Sequence, residues 1–174
     1  MDESEKQENK AKKEKTEGSL RKLKQEYELL KVKYNFPEFK YMNDNFEIEN
    51  IDSSETELFI KQIRKHMTEK IFYILRTLET FINPQNAPLF IFNIIKLFSE
   101  ADKESIQELY KKLGKYEIEA FGLEAVYDEK KEAEFVRKLA EDWKEISSDL
   151  NKLYVSMKAN HDKDGKKSSK SYFG

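Results

Sequence analysis

The sequence of 174 residues contains no cysteine. That excludes disulfides, thiolate zinc sites, iron–sulfur clusters and cysteine nucleophiles together. Only two histidines are present, so imidazole-based metal or acid–base chemistry has little material. Five glycines and three prolines are too few for an all-β fold with many tight turns. No Gly-rich phosphate loop, nucleophile elbow or His–Glu zinc motif occurs. An excess of one charge is also missing: 32 Lys and Arg stand against 34 Asp and Glu, a net of −2. A uniformly basic nucleic-acid coat and a uniformly acidic mimic are both excluded.

Long apolar runs are scarce. The N-terminus stays polar through Ser19, whereas a secretory signal needs an apolar stretch of about 7–15 residues. The most apolar run, 87–98, is interrupted by Asn93 and Lys96. A spanning helix needs about 20 apolar residues. No Asn-x-Ser/Thr acceptor occurs. A soluble, cytoplasmic protein with no membrane contact is expected.

Charge and helical periodicity are what the chain does have. Charged residues make up 38% and apolar residues 38%, against roughly 25% and 45–50% in ordinary globular domains. Long solvated amphipathic helices with some disorder give such a composition. Residues 1–18 carry 11 charges and, beyond Met1, one apolar side chain, Ala11. They bury too little to offset chain entropy, so a disordered tail is expected. Leu20, Leu23, Tyr27, Leu30 and Tyr34 then form one helical stripe over 20–34, ended by Asn35-Phe36-Pro37. The apolar residues of 36–51 keep no period. That stretch is expected to wrap over a bundle, inserting aromatics, with Pro37 opening a short helix to about Asn43.

Ser54-Glu55-Thr56-Glu57 fits a capping box. Behind it Ile60, Ile63, Met67, Ile71, Ile74, Leu78 and Phe81 alternate at steps of 3 and 4, predicting a helix over 54–82. Phe59, Phe72, Leu75 and Ile82 widen the stripe. The turn 83–88 leads to a short helix, 88–98, apolar on every side and therefore expected to be buried. Ser99 and Asp128 read as N-caps of helices over 100–127 and 129–158. Their stripes are Ile106, Leu109, Leu113, Tyr116, Ala120, Leu123, Tyr127 and Val136, Leu139, Trp143, Ile146, Leu150, Leu153, Met157. Gly114 and Gly122 lie inside the first of these helices and suggest a kink or a close helix contact. Residues 159–174 are polar and read as a disordered basic tail.

The fold class is therefore all-α: an elongated antiparallel bundle of three long helices, an amphipathic N-terminal helix and a short buried helix. One domain, 19–158, lies between two disordered tails. About three heptads per helix leave coiled-coil pairing and a homodimer open, although short connections favour packing within one chain.

Catalytic chemistry finds little purchase. Asn160-x-Asp162-x-Asp164-Gly165 resembles half of a calcium loop, but Ser171 stands where the bidentate Glu is required. His66 and Glu69 share a helix, yet no Glu-x-x-His occurs. Glu69, Glu117, Glu124 and Glu132 could perform acid–base work only by converging in a closed pocket. No catalytic residue, metal or cofactor is assigned, and the protein is read as not an enzyme.

The expected function is protein–protein interaction, as an adaptor or scaffold subunit of a larger assembly. Phe36, Phe39, Tyr41, Phe46, Phe90 and Phe92 are the candidate contacts, with a place in the core as the other reading of the same residues. The alternative is an RNA- or ribosome-associated factor. Residues 19–35, 61–82 and 158–174 are each +3, and Lys166, Lys167 and Lys170 would be its best agents. Against it, the densest aromatics lie in 36–60, where seven acids and one lysine give −6.

Overall fold

A computed structural model describes residues 3–51 and 58–168. Among these the chain is all-helical: α1 (Glu3–Tyr34), α2 (Phe39–Phe46), α3 (Phe59–Ile82), α4 (Leu89–Ile95), α5 (Glu100–Ala125) and α6 (Glu129–Ser168). Two 3-10 turns, Ile48–Asn50 and Pro84–Asn86, join them. No strand occurs among the described residues. None of the described helices is long and apolar enough to cross a membrane.

The helix ends follow their local chemistry. Asn35 takes the left-handed conformation, and the Phe36 N–H donates back to the Lys31 carbonyl at 3.2 Å. This six-to-one bond closes α1 before Pro37 can interrupt it. Ser99 and Asp102 cap α5 reciprocally. The Asp102 N–H reaches the Ser99 hydroxyl at 3.2 Å, and the Ser99 N–H reaches the Asp102 carboxylate at 2.9 Å. Asp128 accepts from the N–H groups of Lys130 and Lys131 and so opens α6. The capping box proposed at 54–57 lies outside the described residues.

Both outer helices run further than their apolar stripes. α1 begins at Glu3 and α6 continues to Ser168, beyond the stripes of 20–34 and 129–158. Periodicity detects only a helix that packs. Once a packed segment is nucleated, each further residue adds at little cost, and neither extension contains proline.

The chain divides into two compact units. No linker signals the division, because α3, α5 and α6 each contribute a segment to both. The first unit holds residues 1–68 and 122–140. Leu23 and Tyr27 of α1, Met42 and Phe46 of α2, Ile60, Ile63 and Met67 of α3, and Phe135, Val136 and Leu139 of α6 form its interior. The second unit holds residues 69–121 and 141–174. Its interior is built from Ile71, Leu75 and Leu78, from Ile106, Leu109, Leu113 and Tyr116, and from Trp143, Ile146 and Leu153. Phe81 and Phe98 meet edge to face at 5.4 Å. Lys70 stands 5.3 Å above the Trp143 ring.

Two expectations about the helices are corrected. α4 has only seven residues and is half-submerged: Ile94 is buried, while Leu89 and Asn93 are exposed. Two turns contact one neighbouring surface, so apolar residues all round cannot all be covered. Gly114, in the second unit, and Gly122, in the first, approach no other helix. A Cβ built on either would meet nothing within 4 Å, and α5 runs through both.

Candidate functional site

The aromatic segment that the sequence offered as a contact surface is largely interior. Phe36 and Phe46 are buried. Phe36 lies 6.3 Å from Tyr27 and 5.9 Å from Tyr34. Phe39 is half-buried, edge-on to Tyr27 at 5.3 Å with Lys24 over its ring. Tyr41 is half-buried and its hydroxyl donates to the Ala140 carbonyl at 2.9 Å. The Tyr27 hydroxyl donates to the Pro37 carbonyl at 2.9 Å. Burial pushes the Tyr27 phenol well above its ordinary range, and the Glu28 and Glu38 charges add to this. These aromatics bind the 36–51 segment to α1 and α6. Phe92 is half-buried on α4. Phe90 lies on the same helix, and nothing is described of its side chain. Lys166 and Lys167 fall in the last turn of α6, and Lys170 lies outside the described residues.

The carboxylates meet an arginine instead of a pocket. Arg64 of α3 is 2% exposed and Glu132 of α6 is fully buried. Arg64 Nε donates to Glu132 at 2.8 Å, and Nη2 donates to Glu132 at 3.4 Å and to Glu124 of α5 at 2.8 Å. Lys61 and Lys65 also face Glu124, at 3.2 and 3.8 Å. The Arg64 guanidinium holds the Glu124 carboxyl below the usual carboxylate range. One guanidinium shared by two carboxylates joins α3, α5 and α6. Glu69 is exposed, and His66 is half-buried. Among the described residues no group of three or more His, Asp and Glu could hold a metal. The Asn160–Gly165 stretch is helical, a shape that cannot wrap a cation as a loop does.

The sequence held a signal for this cluster. Ile60, Arg64, Met67 and Ile71 are spaced 4-3-4, as are Glu132, Val136, Leu139 and Trp143. Opposite charges at seam positions of two helices point to each other.

The surface carries more apolar side chain than the interior required. On α1, Leu29 is 72% and Val32 84% exposed. On α5, Ile118 is 75% and Phe121 80% exposed, one turn apart and on the side away from the buried Leu113, Tyr116 and Ala120. Leu29, Leu58 and Tyr127 also line an open groove of about 320 Å³ in the first unit, floored by Phe59 and Ile60. Period analysis missed these because each helix was read for one stripe, and the second stripe is shorter. Compared with protein-family models, curated proteins and solved structures, the chain matches none of them.

Proposed function

We propose that the protein is a non-enzymatic helical interaction module, an adaptor or scaffold subunit that binds other proteins through apolar side chains on its outer helix faces. The observation that carries this reading is the exposure of Ile118 and Phe121 on α5. Large apolar groups side by side on an already folded helix gain free energy only when a partner covers them. The saturated Arg64 cluster supports the non-enzymatic half, since its carboxylates are engaged in holding helices. An antiparallel arrangement of the long helices belongs to the same proposal. Its support is local: Lys112 pairs with Glu145 and Tyr116 with Asp142, so α6 numbers fall as α5 numbers rise.

The test is affinity purification of the full chain at low salt, with mass spectrometry of what co-purifies. A stoichiometric protein partner retained by the native chain and lost from I118E/F121E supports the reading. RNA in its place, released by salt and reduced by neutralising Lys166, Lys167 and Lys170, transfers the function to the nucleic-acid alternative.

A further inference from the structure

The outer face of α1 carries two exposed apolar residues, Leu29 and Val32. Gly18, Lys22, Gln25, Leu29 and Val32 are spaced 4-3-4-3, and all five are exposed. They lie opposite Leu23 and Tyr27, which anchor α1 in its unit. In a heptad register Lys22 and Leu29 take a positions and Gln25 and Val32 take d positions, so one a and one d are apolar. The residues flanking it are Arg21 and Glu28 at g, and Glu26 and Lys33 at e. In a parallel pair each g residue faces the e residue five positions on in the other helix. Both facing pairs are then of opposite sign: Arg21 with Glu26, and Glu28 with Lys33.

We infer that this face is the docking surface for a second copy of the chain, the two α1 helices running parallel and in register. The inference rests on the interaction-module reading and names one partner for it. Parallel alignment sets Leu29 on Leu29, Val32 on Val32 and the Gln25 amides against each other. An antiparallel alignment of the same length sets Lys22 against Val32 and Leu29 against Gln25, so both apolar layers are lost. Lys22 at an a position lowers stability but disfavours higher oligomers and slipped registers. Lys33 and Glu28 already pair with Glu129 and Lys31 within the chain. These are exposed contacts, and exchanging them costs little. Two apolar layers and four flanking pairs make a weak, concentration-dependent dimer.

The absence of native cysteine makes the register testable. A single Q25C places two thiols face to face across a parallel seam, within the narrow Cα separation a disulfide tolerates. K24C, one residue away and off the seam, is the control. Under mild oxidation Q25C is expected to form covalent dimer at least about tenfold faster than K24C. In sedimentation velocity the native chain is expected to shift from monomer to dimer as its concentration rises. R21E should weaken the dimer about tenfold, and R21E/E26R should restore most of it, because the swap re-creates the pair with reversed signs. A native chain that stays monomeric overturns the inference, as does equal cross-linking of Q25C and K24C or an R21E dimer of native strength. I118E/F121E is expected to dimerise normally. Loss of the dimer alone therefore leaves the α5 reading to its own partner assay, and loss of the α5 partner alone leaves the dimer.

Discussion

Replacing Arg64 by methionine removes the partner of a fully buried carboxylate while keeping most of the side-chain volume. At an effective dielectric of about 20, unit charges roughly 3 Å apart attract by about 5 kcal/mol, an amount comparable to the desolvation of the two groups. The intact pair is therefore close to neutral in stability, but the broken pair is not. With Arg64 gone, Glu132 keeps its burial and loses two donors. Such a loss costs about 3–5 kcal/mol. In a chain of this length that lowers Tm by roughly 6–20 °C. Urea denaturation followed by circular dichroism measures it directly. R64M/E132L, which removes both charges, should recover most of the loss. A cost below about 1 kcal/mol, or a double variant no better than the single one, would refute the reasoning.

Four further outcomes are expected. G114A and G122A should each stabilise by about 0.4–1 kcal/mol in the same assay, since the added methyl meets open space and the unfolded chain loses freedom. S99A should cost about 0.5–2 kcal/mol, because it unmakes the reciprocal cap of α5. At high pH, the folded Tyr27 and Tyr116 phenols are raised by burial, Tyr116 also by Asp142, above an ordinary value near 10. Their contribution is complete below that value and is lost as pH rises through the folded ones, so absorbance at long ultraviolet wavelengths should show a late tyrosinate phase coincident with unfolding. At low pH the sign reverses: Arg64 lowers the folded Glu124 value, so its contribution is present above about pH 4.5 and is lost as pH falls.

Much of the helical layout was legible because it is a matter of period. Ile60, Ile63, Met67, Ile71 and Leu78 are all buried as spaced, as are Ile106 through Leu123 on the α5 stripe and Val136, Leu139, Trp143 and Ile146 on α6. Asn35, Ser99 and Asp128 ended or began helices because their side chains and backbones do so locally. Three kinds of feature were not legible. Helix extension into 3–19 and 159–168 leaves no apolar trace. Burial of Phe36 and Phe46 depends on which helices lie against 36–51, and that is tertiary information. The Arg64–Glu132 pair was not legible from either helix alone, because charge in a seam is recognised only when both seams are read together.

The most direct measurement is the comparison of native chain and I118E/F121E in low-salt affinity purification with mass spectrometry. A protein partner in fixed proportion is expected with the native chain and absent from the variant. Retention of the same partner by the variant, or recovery of the native chain with RNA alone, would contradict the proposal that the outer apolar faces are where this protein works.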